Sequence, residues 1–369
     1  MGLDKSTVSI IVKEFTNLGI VESYQLDDEQ VALGRRPLGL RVASDFGCVL
    51  GVGAQPDLYT VVALDLAGSE TYRAQFAPES ERLVPAVCAV VRRVLADPSF
   101  PGTCLLGLGV GLSGMVDPVG GIVKQSLPFG QDSDENVAVG DELKAVFGLP
   151  VIVDNDANCC AWGVLTDHRT GAVRNYLCVL IELHKQKAAT SRYDGLGVGF
   201  GIGIDGRVYG GTQHAAGEFR SVFSPAEKSS QFSISRTDSF RVAEDPALFS
   251  RFSEELSTNI ALLVNTFDLS HIFVDGNIET GVPTLIRAVE DAIQRNWAYS
   301  TPRLCHVEFT GRGEHAVANG AGSMFLQRLF LEPEYGTDLA GMNDWLRSVV
   351  VAGQRDLMGG SSIGMGALA

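Results

Sequence analysis

Five consecutive residues, Asp154-Asn155-Asp156-Ala157-Asn158, follow the apolar triplet Val151-Ile152-Val153 and place carboxylates and amides at the exit of a short strand. Strand exits are where α/β proteins gather ligand-binding groups. A carboxylate there can orient a sugar hydroxyl and accept its proton during phosphoryl transfer, a task that needs a base within hydrogen-bond reach of the attacking oxygen. The plainer alternative is that Asp154 or Asp156 caps a helix running from Ala157 to about Leu165, because Asp and Asn are common caps. A second group of residues favours the functional reading. Glycines at 195, 197, 199, 201 and 203 alternate with Leu196, Val198, Phe200, Ile202 and Ile204, then Asp205-Gly206 offers a turn and Ala215-Ala216-Gly217-Glu218 brings a further carboxylate. The apolar residues share one strand face, and the bare face admits a ligand or a second backbone. By itself such a pattern also describes a glycine-rich hairpin packed on its neighbour.

The elements that must position these residues follow α/β order. Strands are expected at Cys48–Gly53, Tyr59–Leu66 and Tyr72–Phe76, with a turn at Ala67-Gly68-Ser69. A helix over about Ser80–Leu95 carries Leu83, Val87, Val90, Val91 and Val94 at spacings of three and four. A buried strand from Leu105 exits at Asp117-Pro118, a helix spans Val139–Phe147 up to Gly148, and Val151–Val153 is a short strand. The second half repeats the theme with strands at Tyr176–Leu183, Leu196–Ile204, His271–Asp275 and His306–Thr310, and with helices at Phe249–Phe267, Val282–Trp297 and Asn319–Phe330. This order predicts an α/β, two-lobed actin-like ATPase (ribonuclease H-like) fold with a ligand cleft between its lobes. The expected divisions are 44–153 for the first lobe, joined by the helix at about 316–332, then 154–315 for the second lobe and 333–369 for a tail.

Residues 1–43 read differently. Asp4 can cap a helix in which Val8, Ile11, Val12, Phe15 and Leu18 fall on one face until Gly19. Ile20–Gln25 and Val31–Leu33 then bracket the polar turn Asp27–Gln30, which predicts a helix followed by a small hairpin, the end of a winged helix. Lys5, Ser6, Thr7 and Ser9 stand in the first turn, where a recognition helix would touch bases and phosphates; a capped surface helix is the alternative. Residues 1–41 hold five basic against six acidic side chains, so DNA affinity is expected to be weak. The net charge of −15 argues against a nucleic-acid-coating role. No apolar run approaches a membrane span and no secretory h-region opens the chain, so a cytoplasmic protein is expected. Seven cysteines without Cys-x-x-Cys spacing read as buried free thiols.

Taken in order, Gly107-x-Gly109-x-Gly111-x-Ser113-Gly-Met-Val-Asp117, Gly148-Leu-Pro-Val151, Asn155-Asp156-Ala157-Asn158, the glycine strand and Ala215-Ala-Gly-Glu218 resemble the ROK family (repressor, open reading frame, kinase). The resemblance covers nearly everything from 1 to about 332, and implies an N-terminal winged helix-turn-helix of which only the second half is expected here. It further implies that Asp156 matches the catalytic base of the family's kinases, that Asn155 and Glu218 match sugar-hydroxyl ligands, and that Gly197, Gly199 and Gly201 belong to a phosphate-facing hairpin. His214, four residues before Glu218, is a further candidate lining the cleft, with a structural role as the alternative.

Several family positions depart from that pattern. The Asp-x-Gly-Gly-Thr phosphate loop of the kinases corresponds here to Gly51–Thr60, which lacks the acidic residue, the glycine pair and the threonine. Val198 stands where a hydroxyl would contact phosphate, Ser221 replaces the family histidine, no Cys-x-Cys-Gly follows, and only Gln131 could stand in for a sugar-contacting Asn. The expectation is therefore a sugar-responsive transcriptional regulator, a homodimer with operator DNA and a sugar or sugar derivative as partners, and with no metal, cofactor or membrane. The alternative is an ATP-dependent hexose or amino-sugar kinase using Mg and Asp156. The loop His184–Asp194 reads as solvated or as a basic patch, and the tail carries no functional reading.

Overall fold

The computed structural model describes residues 4–25, 38–101, 103–130, 136–168, 171–184, 194–225, 230–278 and 281–331. In chain order the elements are α1 (Lys5–Asn17), β1 (Val21–Gln25), β2 (Leu38–Val42), β3 (Gly47–Ala54), β4 (Tyr59–Asp65), β5 (Glu70–Phe76), α2 (Leu83–Leu95) and β6 (Cys104–Leu112). They continue with β7 (Met115–Asp117), β8 (Ile122–Gln125), α3 (Val139–Phe147), β9 (Val151–Asn155), α4 (Asp156–Asp167), β10 (Tyr176–Leu183), β11 (Leu196–Ile204) and β12 (Arg207–Val208). The last are α5 (Arg236–Ser239), α6 (Pro246–Phe267), β13 (His271–Gly276), α7 (Val282–Arg295), β14 (His306–Phe309) and α8 (Ala316–Leu331).

Two sheets of five strands carry the same topology. The first is ordered β5-β4-β3-β6-β9 and the second β12-β11-β10-β13-β14. In each, an antiparallel meander supplies three strands and two further strands join in parallel, β6 and β9 in one, β13 and β14 in the other. Periodicity explains the helices that cover them. In α6, Phe249, Phe252, Leu256, Ile260 and Val264 form one buried stripe, Asp245 accepts from the amides of Ala247 and Leu248, and Pro246 needs no donor at the first turn. Burying each such side chain contributes about 1.5–3 kcal/mol.

Helices α4 and α8 stand between the sheets and touch each other closely. A Cβ added at Gly320 would lie 1.9 Å from the Cys159 carbonyl oxygen, and one at Gly109 would lie 2.0 Å from that of Ala321. The glycine spacing in β6 therefore admits the backbone of α8.

Other features differ from expectation. The partner of β1 is β2, in register Val21 with Val42, so Leu38–Val42 forms a strand that was not expected, while the expected strand at Val31–Leu33 lies outside the described residues. Residues 26–37, including the expected turn and Gly34–Pro37, lie outside the described residues, as do Gln131, residues 185–193 and the tail after Leu331. The stretch read as one strand to Asp117 breaks at Ser113-Gly114, where Gly114 has φ +138°, and Met115–Asp117 turns into the hairpin β7–β8. Asp4 caps α1 as expected, yet no residue of α1 is buried, and Val8, Ile11 and Phe15 lie open. Cys104 is exposed and Cys305 half-buried, while the other five cysteines are buried thiols. Among the described residues no helix is long and apolar enough to cross a membrane.

Candidate functional site

The site is built at the junction of β9 and α4. Asn155, and neither aspartate beside it, is the N-cap of α4: its Oδ1 accepts from the amides of Ala157 (2.9 Å) and Asn158 (3.2 Å), while its Nδ2 donates to the Gly114 carbonyl (3.0 Å). The expected sugar ligand is thus largely engaged in shaping the turn, tying α4 to the loop before β7. Asp156 is left in the first turn of the helix, where the dipole favours a carboxylate. It is buried at 7% exposure, and its Oδ1 accepts from the Ala157 amide at 2.7 Å. Burial pushes its pKa up to about 7; Glu218 adds to the rise, and hydrogen bonds from the Ala157 amide and the Ser113 side chain oppose it. Burial likewise raises Glu218. Two carboxyl groups held near each other with raised proton affinity form a surface suited to polar ligands whose hydroxyls can donate.

The glycine strand plays a different part from the one the family resemblance implies. A Cβ at Gly201 would sit 2.2 Å from the Ala157 carbonyl, and one at Gly199 would sit 2.8 Å from the Ala157 Cβ. The backbone that approaches this bare face is the N-terminal turn of α4, so Gly199 and Gly201 bring Asp156 against β11 and leave no room for a phosphate there. Of the three, Gly197 alone has open space beyond it. The apolar face meets expectation: Leu196, Val198 and Phe200 are buried in the second lobe's core. Gly201→Ala is expected to destabilise the chain by about 1–3 kcal/mol through overpacking against a backbone that cannot yield, read as a lower midpoint in urea unfolding.

His214 does not accompany Asp156. It adopts φ +60° and lines a cavity of about 90 Å³ on the other side of α4, with Asp154, Asn158, Trp162 and Arg328. There its Nε2 lies 3.4 Å from Asp117 Oδ1, at the β7–β8 turn of the first lobe. Asp154 accepts from the Asn155 amide, Asn158 Nδ2 and Trp162 Nε1, which makes it a structural anchor for α4. Ser221, in the place of the family histidine, is buried and accepts from Asn259 Nδ2 at 3.2 Å. A hydroxyl committed to α6 in this way does not fit a zinc ligand set, and among the described residues no group of three or more His, Cys, Asp or Glu converges on a metal position.

Sequence reasoning missed the residues at the opposite corner. Gln55, just after β3, donates from Nε2 to Glu182 Oε1 near the end of β10, joining the two lobes directly. His184 Nε2 lies 3.8 Å from Glu182 Oε2. Burial, with help from Asp156 and Asp57, pushes Glu182 up to about 8. The signal was a lone acidic residue closing the apolar run Leu177–Ile181 opposite Gly197. Lys5, Ser6, Thr7 and Ser9 lie on α1, outside both sheets; Ser6 Oγ bonds Asp4 and Ser9 Oγ bonds the Lys5 carbonyl.

Residues 56–220 match the model of the ROK family. A xylose repressor of Caldicellulosiruptor bescii is 25% identical over 222 residues, covering 58% of this chain and 51% of the repressor. A beta-glucoside kinase of Listeria innocua is 24% identical over 265 residues, covering 61% of this chain and 85% of the kinase. The chain thus spans about half the length of the repressors it matches. A solved ROK family transcriptional regulator, a homologue of the E. coli MLC protein, shares the fold at a TM-score of 0.65 and 19% identity, over 95% of this chain and 92% of that one. The ROK glucokinase of Streptomyces griseus, solved with glucose and AMPPNP, shares it at 0.58 and 20% identity, over 75% of this chain and 99% of that one.

Proposed function

We propose that this chain is the sugar-sensing part of a ROK-type transcriptional regulator that binds a sugar or sugar derivative beside Asp156 and Glu218 and answers by changing the relation of its two lobes. The observation that carries the reading is the pairing of Asp156 with Glu218 in a buried corner, next to a phosphate-loop position that has lost its acidic residue, glycine pair and threonine. Holding hydroxyl groups needs only such acceptors, whereas phosphoryl transfer also needs donors and a cation around the phosphates. The similarity to xylose repressors supports the same side. Within the proposal α1 and the β1–β2 hairpin belong to a DNA-reading module, with Lys5, Ser6, Thr7 and Ser9 at its tip, and the regulator acts in the cytoplasm as a homodimer on operator DNA.

The test is a thermal-shift screen of pentoses, hexoses and N-acetylated amino sugars. A ligand present at about a hundredfold its Kd should stabilise the folded chain by about 2.7 kcal/mol. Glu218→Ala should abolish that shift; a shift that persists undiminished places the ligand elsewhere. The kinase alternative is favoured by the position of Asp156 and by the similarity to beta-glucoside kinases. It requires ADP release from ATP and Mg on addition of the sugar, and the regulator reading expects none above background.

A further inference from the structure

The phosphate corner of the cleft is occupied by the chain's own side chains. After β3, the Gln55 amide bonds the Leu58 carbonyl at 3.0 Å, which turns the loop, and the Gln55 side chain reaches across to Glu182. Glu182 is paired in the sheet with Gly197, beyond which the cleft is open. Among the described residues, the groups that face Glu182 are Gln55, Asp57, His184 and Asp156. Gln55 has committed its backbone N–H and one of its two side-chain N–H groups there, whereas a phosphate needs several donors turned toward it.

We propose that Gln55 and Glu182 form a cross-lobe clasp that replaces bound phosphate as the link closing the cleft, and that the site therefore accepts unphosphorylated sugars and excludes nucleotides and sugar phosphates. The inference rests on the sugar reading above. Nucleotide phosphates can bridge two lobes only where both present donors; here a carboxyl from one lobe accepts from an amide of the other, so closure needs no nucleotide. Neutral, Glu182 fills the corner; ionised, it also repels a phosphate, together with Asp57 and Asp156. Burial, which raises Glu182 and Asp156, makes a neighbouring dianion still more costly in this corner.

The experiment is calorimetric titration of the full chain with the stabilising sugar, with that sugar's phosphate ester and with ATP, repeated for Gln55→Ala, Glu182→Ala and the double variant. Near-ultraviolet circular dichroism checks that each is folded. The wild-type chain should bind the sugar at least about tenfold more tightly than its phosphate ester, a difference of about 1.4 kcal/mol, and should show no heat with ATP. Each single substitution should weaken the sugar several-fold, and the double variant should be no weaker than either, because the two side chains act as one bond. Glu182→Ala should also narrow the preference over the phosphate ester. The clasp is overturned if the wild-type chain binds ester and sugar alike, or if neither substitution changes sugar affinity, or if their effects add. Failure of every sugar to bind the folded wild-type chain overturns the sugar reading as well, which separates the two failures.

Discussion

Asp156→Asn is expected to raise the melting temperature at pH 8 by roughly 4–8 °C while removing sugar binding. The side chain is buried beside Glu218 and its pKa is pushed up to about 7 from an ordinary 3.8. A group whose folded pKa lies above its unfolded one contributes stability that is present in full below about pH 4 and is lost as pH rises through about 7. Glu182, pushed up to about 8 from 4.5, follows the same sign. Above pH 8 the folded chain therefore carries two ionised carboxyl groups in a corner that disfavours both, a cost on the order of several kcal/mol. An isosteric amide at 156 removes one of these charges, and for a chain of this size each kcal/mol moves the melting temperature by about 1–2 °C. Calorimetric scans from pH 5 to pH 9 should show the wild-type midpoint falling more steeply than that of the variant. Parallel curves would mean that Asp156 is ionised without penalty, and the argument for a tuned carboxyl would be lost. Binding is expected to be lost with it, since an acceptor costly to the fold is one that a sugar hydroxyl can satisfy.

The strand and helix order was legible because the apolar spacing is strong where a sheet is covered on both sides: β10 and β11 begin and end where Tyr176–Leu183 and Leu196–Ile204 do. The site was legible only in part, for three physical reasons. A glycine face announces close approach but not what approaches, and here it is a helix turn, not a phosphate. Asn155 has the chemistry of both a cap and a ligand, and only the positions of the Ala157 and Asn158 amides and the Gly114 carbonyl show the capping use. Gln55 and Glu182 are separated by 127 positions in the chain, and nothing local in either segment points to the other. The pairing of β1 with Leu38–Val42 was likewise not legible, because the two segments are separated in the chain and nothing local in either points to the other.

Arg312→Met is expected to destabilise the chain by about 3–5 kcal/mol, near the upper end for a single substitution. Arg312 stands just ahead of the short 3-10 turn Gly313–His315 that leads into α8. Its guanidinium bonds Asp275 Oδ2 at 3.2 Å and also pairs with Asp167, the last residue of α4. Asp275 is fully buried at the end of β13, and burial raises its pKa even though Arg312 opposes the rise. Methionine keeps much of the volume of the stem but leaves that carboxyl buried without its cation, so the chain must either hold an unpaired charge or take up a proton. The double variant Arg312→Met with Asp275→Asn should recover more than half of the loss, because the penalty lies in the stranded charge; urea unfolding of the four forms measures it. If the double variant is no better than Arg312→Met, the contact with Asp167 carries the stability instead. One side chain joins the end of α4, a central strand of the second sheet and the approach to α8; Asp275 and Gly276 pair with Leu180 and Ile181, next to Glu182, so this bond and the Gln55–Glu182 contact stand at the same end of the second sheet.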